Sequence, residues 1–318
     1  MAKVNSTNPS TPFSKRFDLM SAGLEELETW LLDTFRQGLA SLEQQAPSFW
    51  TDIAARMVDA KLGGIARRLK RLGLLIGNED KWYEKVLAEL GNLYLLIQAF
   101  QRIEELPIPL QKDLLSIAGV NTRKEELLQE GLSIKDVWMI LSVAEKTEEN
   151  LRSRKTWLYG WKSNRFALVL DFAWGRSDFT EKYTVGKVFE GMVLYYPSNV
   201  PMRVIVQEKR FIENRPIKRI VGFPSFSEFL DHYSTTLAAN PWLLDYPCAM
   251  EQLSLTLFNE KLQLTDKDNL QIPLLLSTSK QWKILALSGG HPVHLFGEWS
   301  GQQYVPLSLS VDGQFFVL

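Results

Sequence analysis

The chain is poor in the residues that usually announce chemistry. It has one cysteine, Cys248, in 318 residues. A single thiol closes no intramolecular disulfide and builds no thiolate zinc site by itself, so a reducing cytoplasm is the expected setting. Histidines number three. Neither charge sign is in excess: 36 Lys and Arg stand against 37 Asp and Glu, a net charge of −1. That balance argues against a dedicated electrostatic binder of nucleic acid or anionic membrane, while leaving room for a local patch. The most apolar runs, such as Leu93 to Ile97 and Ile272 to Leu276, fall far short of the ~20 residues that span a bilayer. The N-terminal residues lack the apolar core of a secretory signal, so none is expected. No Gly-x-Ser-x-Gly elbow, Gly-x-x-x-x-Gly-Lys-Ser/Thr loop or His-Glu-x-x-His pair occurs, and no cofactor is expected.

Aromatic residues are abundant, with ten Trp and 17 Phe, and 45% of the chain is hydrophobic. Such a composition folds, and the length suits about two domains, each with its own core. Residues 1–21, rich in Ser, Thr, Asn and Pro, read as a flexible tail. Residues 22–131 carry helical spacing. Leu24, Leu27, Leu31, Phe35, Leu39 and Leu42 form one stripe, and Ile53, Met57, Ala60 and Leu62 a second behind Ser48. Gly63-Gly64 weakens or bends that helix before Ile65, Leu69 and Leu72. A long helix is expected from Glu79 to Leu106, then shorter ones at Leu110–Ala118 and, behind the Thr122-x-x-Glu125 box, Thr122–Glu130. Short connections predict a helical bundle or short α-solenoid.

At Gly131 the period changes. Residues 132–318 read as a mostly antiparallel β domain with one inserted helix, so the fold class is α+β; a split into two sub-modules falls near 240–250. Val137, Met139, Leu141 and Val143 take one side of a strand. Arg152–Gly160 and Arg165–Phe172 then form a hairpin about Trp161-Lys162-Ser163-Asn164. Further strands are expected at Val188–Tyr196, Met202–Val206, Leu253–Leu264, Trp282–Ser288, Pro292–Trp299 and Leu307–Leu318. Ser225-x-x-Glu228 caps the helix carrying Phe226, Phe229, Leu230, Tyr233 and Leu237.

Candidate chemistry is sparse. His291 and His294 are three apart, which on a strand sends them to opposite faces, a poor metal pair. Asp231-His232 are helix neighbours that do not face one another. Asp171, in an apolar strand, is the one carboxylate out of place, and a hydrolase or transferase site would be sought there. Two basic runs suit phosphate: Arg67, Arg68, Lys70 and Arg71 on a helix, and Lys209, Arg210, Arg215, Lys218 and Arg219 in a loop or strand pair. The bland reading of both is a solvated face.

Several segments fit a family. Gly23 to Leu31 (Gly-Leu-Glu-Glu-Leu-Glu-Thr-Trp-Leu), Trp50 to Ala60, Arg154 to Leu158 and Arg165 to Ala173 together resemble the bacterial SWIM zinc-finger-associated proteins, downstream of the finger. The finger needs Cys-x-Cys and Cys-x-His, and Cys248 alone cannot supply it, so no zinc ligand is transferred to any residue here. The resemblance implies one half of a split pair, with a finger-bearing companion, a MoxR-type AAA+ ATPase and a von Willebrand factor A-like protein as partners. The first expectation is therefore a non-enzymatic adaptor. Trp30, Trp50, Trp157 and Trp161 are its candidate anchors, Trp161 at the hairpin turn being the most exposed. Nucleic-acid binding through the basic runs is the alternative.

Overall fold

The computed structural model describes residues 12–318 apart from 47, 78–80, 123, 149, 214–215, 244, 259–260, 273 and 275. Its contacts separate two units, Met1–Arg123 and Lys124–Leu318. The first is helical: α1 (Pro12–Gln37), α2 (Ser48–Asp59), α3 (Gly63–Leu75), α4 (Trp82–Gln101) and α5 (Ile108–Ala118). Leu24, Leu27 and Leu31 of α1 are buried, as are Ile53 and Met57 of α2, Ile65 and Leu69 of α3, and Val86, Leu90 and Ile97 of α4, and α1 packs against α2 and α4. Helix α1 begins at Pro12, inside the stretch read from sequence as a tail. It stops at Gln37 because Gly38 turns to φ 82°, and Leu39–Gln44 form a separate 3₁₀ turn. The sequence stripe ignored that break. The expected start of the fourth helix at Glu79 lies outside the described residues.

Two glycines set the helix spacing. A Cβ on Gly64 would sit 1.9 Å from the Ile117 carbonyl, and one on Gly73 would sit 2.8 Å from the Trp50 ring. Gly63-Gly64 therefore opens α3 where its backbone meets the end of α5, and does not merely weaken a continuing helix.

The second unit opens with α6 (Lys124–Glu130), followed by β1 (Leu132–Glu148), β2 (Leu151–Gly160), β3 (Phe166–Trp174), β4 (Val188–Tyr195) and β5 (Arg203–Ile212). These five strands close in the order β1-β2-β3-β5-β4. Every neighbouring pair is antiparallel except β3 with β5. This is the strand order of a Greek-key barrel of the OB type. Trp138, Ile140, Leu158, Val169, Phe189, Val193 and Tyr195 fill its interior, with Tyr183 from the β3–β4 loop. Val143 joins that interior, whereas Val137, Met139 and Leu141 pack outside it. A bulge between Ile140 and Ser142 shifts the alternation by one residue. That bulge overturns the expectation of four side chains on one face.

A six-stranded sheet follows, in the order β11-β10-β9-β6-β7-β8. Its strands are β6 (Tyr246–Phe258), β7 (Lys261–Thr265), β8 (Gln271–Ile272), β9 (Val293–Trp299), β10 (Tyr304–Val311) and β11 (Gln314–Val317). Helix α7 (Phe226–Ala239) is capped as expected, the Ser225 hydroxyl accepting from the Glu228 amide at 3.3 Å. Helix α8 (Thr278–Ser288) corrects the strand expected at Trp282–Ser288. Trp282, Ile284, Ala286 and Ser288 alternate, but Gln281, Ile284, Leu285 and Ser288 also share a helical face, and period alone cannot arbitrate so short a run. Met139, Leu141, Trp157, Tyr159, Val188, Ile217, Ile220, Ala249 and Phe296 form the shared core between barrel and sheet.

Candidate functional site

The hairpin turn between β2 and β3 is built on one buried carboxylate. Asp136 of β1 is 3% exposed and accepts from the backbone N–H of Val137 at 2.6 Å, Lys162 at 3.0 Å and Ser163 at 2.7 Å. Burial pushes its pKa up, but the Ser163 side chain and those amides outweigh burial and hold it below the ordinary aspartate value. Gly160 must be glycine here, since a Cβ would meet Ser163 Oγ at 2.3 Å and Asp136 Oδ2 at 2.6 Å. Asn164 closes the turn in the left-handed region at φ 52°, its side-chain oxygen accepting from the Tyr159 hydroxyl at 2.9 Å. The turn is thus fixed from beneath, and it lifts Trp161 into solvent at 51% exposure.

Beside Trp161 lies a groove of about 610 Å³. Val137, Met139 and Val188 of the barrel form one wall, and Pro216, Ile217 and Val221 of the connection after β5 form the other. Lys218, Arg219 and Glu251 complete it. Glu251 anchors that connection, pairing with Arg219 and accepting from the Gly222 amide at 3.0 Å. A second, smaller groove of about 390 Å³ lies beyond Val221, lined by Tyr159, Arg165, Phe166, Phe223, His232 and Tyr246 among others. His232 Nε2 there is 2.9 Å from the Tyr246 hydroxyl, so the imidazole pairs across elements and not with Asp231.

The sequence candidates scatter. Trp157 is fully buried, its indole N–H donating to Glu298 at 2.7 Å; Trp50 is 5% exposed and Trp30 half-buried against it. Only Trp161 of the four stands on the surface. Arg67, Lys70 and Arg71 are exposed on α3, while Arg68 donates to Glu89 at 2.6 Å. In the second run Lys209 pairs with Glu181 at 2.5 Å, Arg210 with Glu190 at 2.5 Å, and Arg219 with Glu251. Arg215 lies outside the described residues. Asp171 holds Arg154, whose Nη2 donates to it at 2.6 Å and to the Glu181 carbonyl at 2.6 Å, with the guanidinium over the Phe179 ring. It lines neither groove and belongs to a structural ion pair. His291 follows the turn after α8; His294, on β9, is buried beside Gln252. Among the described residues no three of His, Cys, Asp and Glu gather as metal ligands would, and no helix is long and apolar enough to cross a membrane.

Sequence reasoning missed three residues. Asp136 looked like an ordinary strand residue; the only available signal was its place opposite the future turn. Phe172 and Trp174 stand outward from β3, 57% and 67% exposed. Their i, i+2 spacing was the legible sign, passed over in favour of Asp171. In barrels of the OB type the outer face of β2 and β3 is where oligonucleotides and oligosaccharides bind. Here Trp157, Phe166 and Leu168 of that face pack against Phe296 and Leu307, so most of it is already covered by the sheet.

No curated protein and no solved structure matches the chain. The strand segments that carry part of the sequence resemblance, Arg154–Leu158 and Arg165–Ala173, lie beyond the family match. Residues 15–118, about a third of the chain, match the SWIM-associated four-helix bundle domain, so the similarity lies in the helical unit.

Proposed function

We propose that the chain is a cytoplasmic, non-enzymatic adaptor of a bacterial assembly, joining a SWIM-finger protein to a MoxR-type AAA+ ATPase and a von Willebrand factor A-like protein. One observation carries this reading: Trp161, an aromatic residue in an otherwise polar turn, stands exposed beside an apolar groove. Exposed tryptophan next to a concave apolar wall is the form that binding anchors take. A rigid turn favours it further, since little conformational freedom is lost on docking. The match of residues 15–118 to a SWIM-associated domain supplies the family setting.

The test is co-purification from the native host with and without ATP. Wild-type protein should bring down a polypeptide bearing Cys-x-Cys and Cys-x-His, or an AAA+ ATPase; Trp161→Ala should lose it while melting at the same temperature. Recovery of nucleic acid alone, depleted by charge reversal at Arg67, Lys70 and Arg71, would replace this reading with the nucleic-acid one.

A further inference from the structure

The charge around the groove is unlike that of the chain as a whole, and it specifies what the groove takes. Resting on the docking reading above, we infer that the occupant is an acidic segment of a protein partner: an apolar side chain seats against Val137, Met139, Val188 and Ile217 beneath Trp161, and flanking carboxylates meet Lys162 and Lys218. The chain carries a net charge of −1. The charged residues lining the groove are Lys218, Arg219 and Glu251, with Lys162 next to Trp161 on the turn. Glu251 is spent internally, one oxygen on Arg219 and the other on the Gly222 amide. Lys162 and Lys218 are exposed and make no ion pair among the described residues. The barrel wall continues the pattern. Glu190, opposite Val137, is bound by Arg210, and Lys135 and Lys162 add to the depression of its pKa. On the far side, burial first and Arg219 second lower the pKa of His294. A carboxylate brought to this rim meets Lys218 and Lys162, neither of which is held in a salt bridge among the described residues, although Lys162 also feels Glu190. A basic segment would meet Lys162 and Lys218 as like charges, which gives discrimination as well as attraction.

The test uses the full chain and four fluorescent probes read by anisotropy. Three are twelve-residue peptides with the same central Leu and Phe anchors, flanked by Asp and Glu, by Ser and Asn, or by Lys and Arg. The fourth is oligo(dT) of the same length. The acidic peptide should bind best and weaken about tenfold or more when ionic strength is raised from about 0.01 M to about 1 M. Lys162→Glu with Lys218→Glu should weaken it at least about tenfold, with an unchanged melting temperature and a preference reversed in favour of the basic peptide. Equal binding of acidic and neutral peptides, insensitive to the charge reversals, would overturn the acidic assignment and leave the docking reading standing. Preference for oligo(dT), or binding of none of the peptides, would also overturn it. Loss of partner co-purification with Trp161→Ala tests the docking reading separately.

Discussion

Asp136 shows how one side chain gives an exposed residue its position. Its carboxylate replaces water with three amide donors, and the turn they hold carries Trp161. Asp136→Asn turns an acceptor-only group into one that presents a donor to other donors, and should cost roughly 1–3 kcal/mol. The sign of its pH dependence follows from the depressed pKa. The contribution is present above the unfolded value of about 4 and is lost as pH falls through the lower folded value. Denaturant titrations of wild type and Asp136→Asn should therefore differ most near neutral pH and converge in acid; a gap that widens in acid would refute the assignment. Trp157 and Trp161, four residues apart, make the matching contrast. Trp157→Ala should cost about 3–5 kcal/mol as a core truncation, and Trp161→Ala less than about 0.5 kcal/mol, both measurable by chemical denaturation.

Elements were legible in the sequence where one period prevailed and obscure where backbone geometry interrupted it. The stripes on α1, α3 and α4 and the capped helix α7 follow from spacing and from the Ser225 cap, because burial and capping act on neighbours in sequence. The phase change at the β1 bulge and the helical state of Thr278–Ser288 are not set by period alone, and the break at Gly38 is a local turn to positive φ that an apolar stripe does not register. Glycines are the same lesson in reverse. Gly63-Gly64 reads as a weak point in a helix, yet Gly64 is where α3 touches the Ile117 carbonyl. The candidate site was legible only in part: Trp161 stood out, but the groove wall from Pro216 to Val221 has no period at all. Gly160→Ala should destabilise by about 1–3 kcal/mol through overpacking against Ser163 and Asp136, and should loosen the turn. Amide exchange at Lys162 and Ser163 should quicken in that variant; unchanged protection would mean that the turn is not held by this packing.

The whole chain combines a helical unit similar to the SWIM-associated four-helix bundle domain with a β unit in which a closed barrel and a six-stranded sheet share a core. Each contact-defined unit has buried apolar residues of its own, so each is expected to unfold as its own cooperative transition. Two calorimetric transitions, with only that of the β unit shifted by Gly160→Ala, would fit; a shift of both by the same amount would contradict it. At this scale the function proposed for the chain reduces to one claim, that the groove beside Trp161 holds a protein partner. The most direct measurement is calorimetric titration of the purified chain and of its Trp161→Ala variant with the protein recovered by co-purification. The account predicts that the variant binds at least about tenfold more weakly while keeping its melting temperature. Equal affinity for the two proteins would contradict it.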